Sequence, residues 1–288
     1  MLWFVYFLAI YSAVFGIPDP LLDAVVAADE YAVEKMIKKD KNIFVSGEVP
    51  VVIDRLDHYG RSQLLNCGAS PPAFKHTTEI DLTCVNIVKL LVDNGANLTL
   101  VDNYGEDALS LGVYRGYFNL CAYLIDNGIS VNRQDNNGKT PIMKAVAHGF
   151  KTIFDILIQH NADVLLHDSD GMTLLHHATR LAASNNTFVP YLAHITKTLK
   201  TQHASLMIDT LKDKDGRTAL HYGVLLHCIK CCKILVEAGA DPRVTDAFEI
   251  SATSMVSEES EELLHFLLDT TVTNIENEHK KWVEKNEL

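Results

Sequence analysis

Asp213-Lys214-Asp215-Gly216-Arg217-Thr218-Ala219-Leu220-His221 reads as a tight turn running straight into a helix. An aspartate at the head of a turn accepts hydrogen bonds from backbone amides two residues on. A threonine just ahead of an apolar run caps the first free amides of a helix. Working outward, the same Asp-x-x-Gly spacing recurs at Asp57 with Gly60, Asp102 with Gly105, Asp135 with Gly138 and Asp168 with Gly171, and a further aspartate stands at Asp246. These aspartates lie 45, 33, 33, 45 and 33 residues apart. A period of 33 residues, twice lengthened by the same 12, marks a stack of like units.

The residues after the glycines repeat as well. Gly138-Lys139-Thr140-Pro141-Ile142, Gly171-Met172-Thr173-Leu174-Leu175-His176 and Gly216-Arg217-Thr218-Ala219-Leu220-His221 are variants of G-x-T-P-L-H. Thr140, Thr173 and Thr218 stand at capping positions, and Pro141 falls in the first helical turn, where its missing N–H costs nothing. A second apolar helix comes next, as in Ile153-Phe154-Asp155-Ile156-Leu157-Ile158 or Lys233-Ile234-Leu235-Val236, closed by Gly95-Ala96-Asn97 or Gly239-Ala240-Asp241 turns. Gly95, Gly128 and Gly239 suit the left-handed residue that ends such a helix.

This pattern resembles the ankyrin repeat family. The resemblance implies an all-α solenoid of helix-turn-helix units with β-turn tips, an array of about seven units over residues 19–270, with insertions near 68–81 and 184–196. Residues 20–40 read as a capping helix pair without a turn motif, and the unit from Asp246 as a solvated end cap, with Glu249 where the glycine belongs. Leu206-Met207-Ile208 replaces the closing turn of the unit that begins at Asp168, which leaves the end of its second helix open. Residues 271–288 read as a charged helix or tail. In the family's terms His176 and His221 are structural, at the last place of the motif.

Both ends carry address-like signals. Residues 1–18 hold no charged side chain, a length short for a membrane span and suited to a secretory signal peptide over 1–16, although no Lys or Arg precedes the apolar run. The chain ends Lys285-Asn286-Glu287-Leu288, similar to an endoplasmic-reticulum retrieval tail. Asn97-Leu98-Thr99 and Asn185-Asn186-Thr187 match the N-glycosylation acceptor, so Asn97 and Asn185 are candidate glycan sites in a lumenal protein. Of the six cysteines, Cys228, Cys231 and Cys232 fall in one second-helix segment and read as small core residues; Cys228-x-x-Cys231 also has the spacing of a thiol–disulfide pair, though not after a strand.

Function is bounded by exclusion and by resemblance. A net charge of −12 without a basic stripe argues against a nucleic-acid phosphate backbone or an anionic membrane as partner. No G-x-S-x-G, G-x-x-x-x-G-K or H-E-x-x-H motif is present, so no catalytic residue, metal site, cofactor or small-molecule substrate is expected. The resemblance implies a protein partner on a concave face, with no stable membrane insertion once a leader is removed. Aligning the repeats puts Tyr114 and Arg115, Lys144 and His148, His177 and Arg180, and Tyr222 and Leu225 on the exposed side of first helices, and Tyr59, Tyr104, Asn136 and Phe248 at turn tips. Two alternatives stay open: a cytosolic adaptor with an uncleaved apolar N-terminus, and a thiol-active redox or chaperone cofactor using Cys228 and Cys231.

Overall fold

Each described turn is organised by its aspartate. Asp102 Oδ1 accepts the N–H groups of Tyr104 and Glu106 at 2.8 and 3.0 Å, and Asp135, Asp168, Asp213 and Asp246 treat the residues two and four places on in the same way. One carboxylate oxygen thus holds both amides that a turn leaves without a backbone partner.

The computed structural model describes residues 31, 34, 77–93, 95–202, 208–257 and 260–286. The leader at 1–16, the first helix pair apart from helical Tyr31 and Glu34, the Asp57 turn with Tyr59, Cys67, residues 68–76 and Glu287-Leu288 lie outside them. The helices are α1 (Thr77–Asp93), α2 (Ala108–Arg115), α3 (Phe118–Asp126), α4 (Pro141–Ala147), α5 (Lys151–Gln159), α6 (Leu174–Ser184), α7 (Val189–Gln202), α8 (Ala219–Leu225), α9 (Ile229–Glu237) and α10 (Glu261–Asn286). Among the described residues there is no extended strand; two isolated bridges, His167 to Thr173 and Thr245 to Ser251, tie the feet of their turns. The fold is all-α, as the repeat pattern requires.

The chain divides into two compact units, Met1–Ala145 with Thr152–Ala162, and Val146–Lys151 with Asp163–Leu288. In the first, α2 folds back on α3 through Gly116-Tyr117, and α3 packs on α1. Leu109, Leu111, Val113, Leu120 and Leu124 are buried there beside Ile87, Val88 and Leu91 of α1. Tyr117 gives α3 no side-chain cap; instead Asp81 of α1, itself buried, accepts the N–H groups of Asn119 and Leu120 at 2.8 and 2.9 Å. The second helix of one hairpin therefore caps the second helix of the next.

In the second unit α6 packs on α7 and α8, and α9 packs on α7 and α8. Thr173 and Thr218 form capping boxes with His176 and His221. The backbone N–H of Thr173 donates to His176 Nδ1 at 3.0 Å, which fixes the ring proton on Nε2, where it donates to the Arg217 carbonyl at 3.0 Å. His221 repeats the arrangement, Nδ1 accepting from Thr218 and Nε2 donating to the Ile250 carbonyl. Each of these imidazoles bonds its own helix start to the following turn, which bears out the structural reading of both.

The helix boundaries give three of these segments their form. Of the segment near 68–81, residues 77–81 are helical: α1 begins at Thr77, and from within it Asp81 reaches the start of α3. In the segment near 184–196 the added residues lengthen α6 and α7 to 11 and 14 residues around a 3-10 turn at Asn186–Phe188, and bury Leu192 and Ile195. The boundary at 270/271 falls inside α10, which runs unbroken for 26 residues.

Candidate protein-interaction surface

The second oxygen of Asp135, Asp168 and Asp213 engages three of the predicted surface residues. Nine places beyond Asp135 stands Lys144, whose Nζ lies 2.8 Å from Asp135 Oδ2 and 2.6 Å from Glu106 Oε1. Nine beyond Asp168 stands His177, with Nε2 2.9 Å from Asp168 Oδ2. Nine beyond Asp213 stands Tyr222, whose hydroxyl donates to Asp213 Oδ2 at 2.8 Å; burial and that carboxylate push its phenol up to about 12. Lys144 and His177 are buried and Tyr222 is half-buried. The expectation that Lys144 and His177 are exposed is therefore corrected: a turn carboxylate draws each side chain inward.

Of the other predicted positions among the described residues, all but the half-buried Arg115 are exposed. In the first unit Tyr104 at a turn tip and Tyr114 at the end of α2 are 54% and 51% exposed, and the half-buried Arg115 guanidinium lies 5.6 Å from the Tyr114 ring centre. Asn136 is exposed, though its amide donates to the Asn103 carbonyl and its backbone N–H to the Tyr104 carbonyl, so its polar groups serve the turn stack. In the second unit His148 is exposed and stacks on Phe150, Arg180 is exposed, and Leu225 and Phe248 are 45% and 64% exposed.

Arg180, Tyr222 and Leu225 come together around an open cleft of about 570 Å³ in the second unit, also lined by Asp170, Met172, Asp213, Lys214, Asp215 and Leu226. Its lining combines charges of both signs with Met172 and the two leucines. Sequence reasoning missed Leu226 and the turn residues Asp170, Lys214 and Asp215; consecutive leucines closing a seven-residue helix that is already buried on its other face were the available signal.

Cys228 is not inside a helix. His227, at φ +52°, ends the preceding turn, so α9 starts at Ile229 with Cys228 as its N-cap and Cys231 as its third residue. The two sulfurs are joined in a disulfide, with Cα atoms 5.2 Å apart. Both are buried, as the reading of small core residues expects, but they are paired with each other. Cys121 and Cys232 are buried thiols, and burial pushes Cys232 up to about 12. Asn97 and Asn185 are exposed, each accepting from the backbone and hydroxyl of the threonine two places on. Among the described residues no cluster of His, Cys, Asp or Glu could hold a metal ion, and no helix is long and apolar enough to cross a membrane.

Helical hairpins joined by aspartate-led turns, each histidine reaching the next turn, define a repeat protein. The family model for ankyrin repeats (3 copies) matches residues 78–135, 130–203 and 166–246, and the chain belongs to the ankyrin repeat family. Membership marks it as a protein–protein interaction module. Among solved structures, it is similar to the ankyrin repeat domain of Bcl-3, described as a unique member of the IkappaB protein family, at 19% identity and a TM-score of 0.66, over 87% of this chain and 98% of that one. The human ASB11 ankyrin repeat domain is similar at 20% identity and a TM-score of 0.63, over 88% of this chain and 98% of that one. A comparison with curated proteins found no match.

Proposed function

We propose that this chain is a non-enzymatic ankyrin-repeat scaffold that binds another protein through its turn tips and the exposed ends of its first helices, and that it works in the secretory pathway, in the endoplasmic-reticulum lumen. The observation that carries the binding surface is a division of labour. The polar side chains of Lys144, His177 and Tyr222 are engaged by turn aspartates, while the large side chains of Tyr104, Tyr114, Leu225 and Phe248 are 45–64% exposed. Tyrosine and arginine are the types that dominate binding energy at interfaces. The lumenal location is supported by the apolar leader, the retrieval-like tail, two exposed acceptor asparagines and a disulfide, which oxidising compartments favour.

Two experiments separate these halves. The tagged chain, with its C-terminus left free, is crosslinked in cells and compared with Tyr104→Ala/Tyr114→Ala and Leu225→Ser/Phe248→Ser variants of unchanged circular dichroism. A partner recovered with the parent and lost from a variant supports the surface; a partner set that neither variant changes overturns it. Glycan digestion and N-terminal sequencing test the location: an unglycosylated chain starting at Met1 removes the lumenal reading and leaves the binding one intact.

A further inference from the structure

We infer that Cys228–Cys231 is a redox-responsive disulfide, opened in the folded protein by a dithiol that attacks Cys228, and that its state sets the wall of the neighbouring cleft. This rests on the geometry of α9 and not on the identity of any partner.

The bond is dispensable to the hairpin. In the first unit the same two helix-start positions are filled by Tyr117 and Leu120, both buried, and that hairpin closes without a cross-link, by packing and by the hydrogen bonds from the Asn119 and Leu120 amides to Asp81. The cysteines are only three residues apart in sequence, and a cross-link closing so short a loop restrains the unfolded chain less than one closing a long loop. A staple would join distant segments; this bond joins one helix start to itself.

The surroundings suit exchange. Cys228 retains 8% exposure whereas Cys231 and Cys232 have none, and exposed Leu226 and His227 immediately precede Cys228. The backbone N–H of Cys231 donates to Cys228 Sγ at 3.2 Å, and the amides that open α9 favour negative charge on that sulfur. Cys232, fully buried against Gly223, stays protonated and does not compete. His227 holds the left-handed place that Gly116 and Gly149 fill elsewhere, so the joint beside the bond is strained. Leu225 and Leu226, the cleft-lining residues, hang from that joint through Leu226 N–H to the Tyr222 carbonyl, His227 N–H to Val224 and Cys228 N–H to Gly223.

The chemistry balances with a dithiol as reductant. Its thiolate attacks Cys228 Sγ, forming a mixed disulfide and expelling the Cys231 thiolate, which takes up a proton. The second thiol of the reagent then attacks its own sulfur in the mixed disulfide, closes to a cyclic disulfide and releases the Cys228 thiolate. Two electrons pass from the dithiol to the protein, and both cysteines end as thiols or thiolate.

The test uses the full chain prepared without reductant. Lys230 lies between the two cysteines, so trypsin under non-reducing conditions leaves residues 218–230 bonded to residues 231–233 if the bridge exists. The native protein is then titrated with dithiothreitol, quenched and alkylated. Cys228 and Cys231 are expected to become reactive at a rate proportional to reagent, at least tenfold faster than Cys121 and Cys232, with helical circular dichroism unchanged and amide exchange over residues 224–232 raised several-fold. Cys231→Ser should trap a mixed disulfide on Cys228 with Ellman's reagent, while Cys228→Ser leaves Cys231 unreactive. Alkylation of both cysteines before any reductant overturns the proposal, as does opening that is independent of reagent and keeps pace with Cys232, or faster trapping at Cys231 than at Cys228.

Discussion

In the turns of Asp135, Asp168 and Asp213 a single carboxylate does two jobs, and the second job is what the sequence concealed. Oδ1 of Asp135 holds the amides of Asn137 and Lys139, a local pattern readable from Asp-x-x-Gly; Oδ2 holds Lys144, a contact that exists only once the helix has folded over the turn. Removing that cation leaves Asp135 and the partly buried Glu106 close together without compensation. Lys144→Ala should therefore cost about 2–4 kcal/mol, more than Lys144→Met combined with Asp135→Asn, as chemical denaturation will measure. His176 and His221 give the second residue-scale prediction. Burial, which disfavours the charged ring, lowers both pKa values from the ordinary 6.5, against the opposing pull of the Nε2 bonds to the Arg217 and Ile250 carbonyls. The unfolded chain takes up protons first, so their contribution is complete above about 6.5 and is lost as pH falls from there toward the lowered folded values. A Thr173→Ala/His176→Gln variant should show a shallower fall in denaturation midpoint over that range; an unchanged slope would remove His176 from the account.

At the scale of the element, the capping logic was legible where it is local and hidden where it is not. Thr173, Thr218 and the glycine turns are set by spacing within a few residues, whereas Asp81 caps α3 from 38 and 39 residues away and sits, in the sequence, at the edge of an apparent insertion. Asp81→Ala removes acceptors for two helix-start amides and should cost about 1–2 kcal/mol, with amide exchange raised first in α3; protection there equal to the parent would refute the cap. The 12-residue lengthening was visible as a number, but its form was not, because Leu192 and Ile195 show helical burial only against a neighbouring hairpin. Glu249 breaks the glycine pattern, and the structure gives the exception a reason. Gly171 and Gly216 carry φ near +75° and also face the next turn, where an added Cβ would sit 2.7 Å from a backbone nitrogen. Glu249 adopts the same left-handed backbone at φ +62° with its Cβ accommodated, so only the strain remains. Glu249→Gly should stabilise by about 0.5–1 kcal/mol, read as a higher thermal midpoint.

For the whole molecule, the repeat period is what made the fold legible, since self-similarity averages over local ambiguity, and the site was legible only in part because surface residues obey no period. Tyr104, Tyr114 and Phe248 were placed by alignment alone, while the cleft beside Leu225 and Leu226 arises where α8 meets the adjoining turns, a conjunction no single repeat encodes. The same construction governs how damage spreads. Within the second unit α8 contacts α6 and α9, α9 contacts α7 and α8, and the turns are linked by single backbone bonds, Lys214 N–H to the Asp170 carbonyl and Ala247 N–H to the Asp215 carbonyl. Energy in such a chain is a sum over neighbours. Gly216→Ala adds left-handed strain and drives a methyl against Ala247 N, a combined cost of about 2–4 kcal/mol. Its effect should appear by hydrogen exchange as lost protection in α8 and α9, a smaller loss in α6 and α7, and unchanged protection in α2 and α3. A loss spread evenly over every described helix would mean that the chain unfolds as one closed core, and the nearest-neighbour account of its stability would have to be given up.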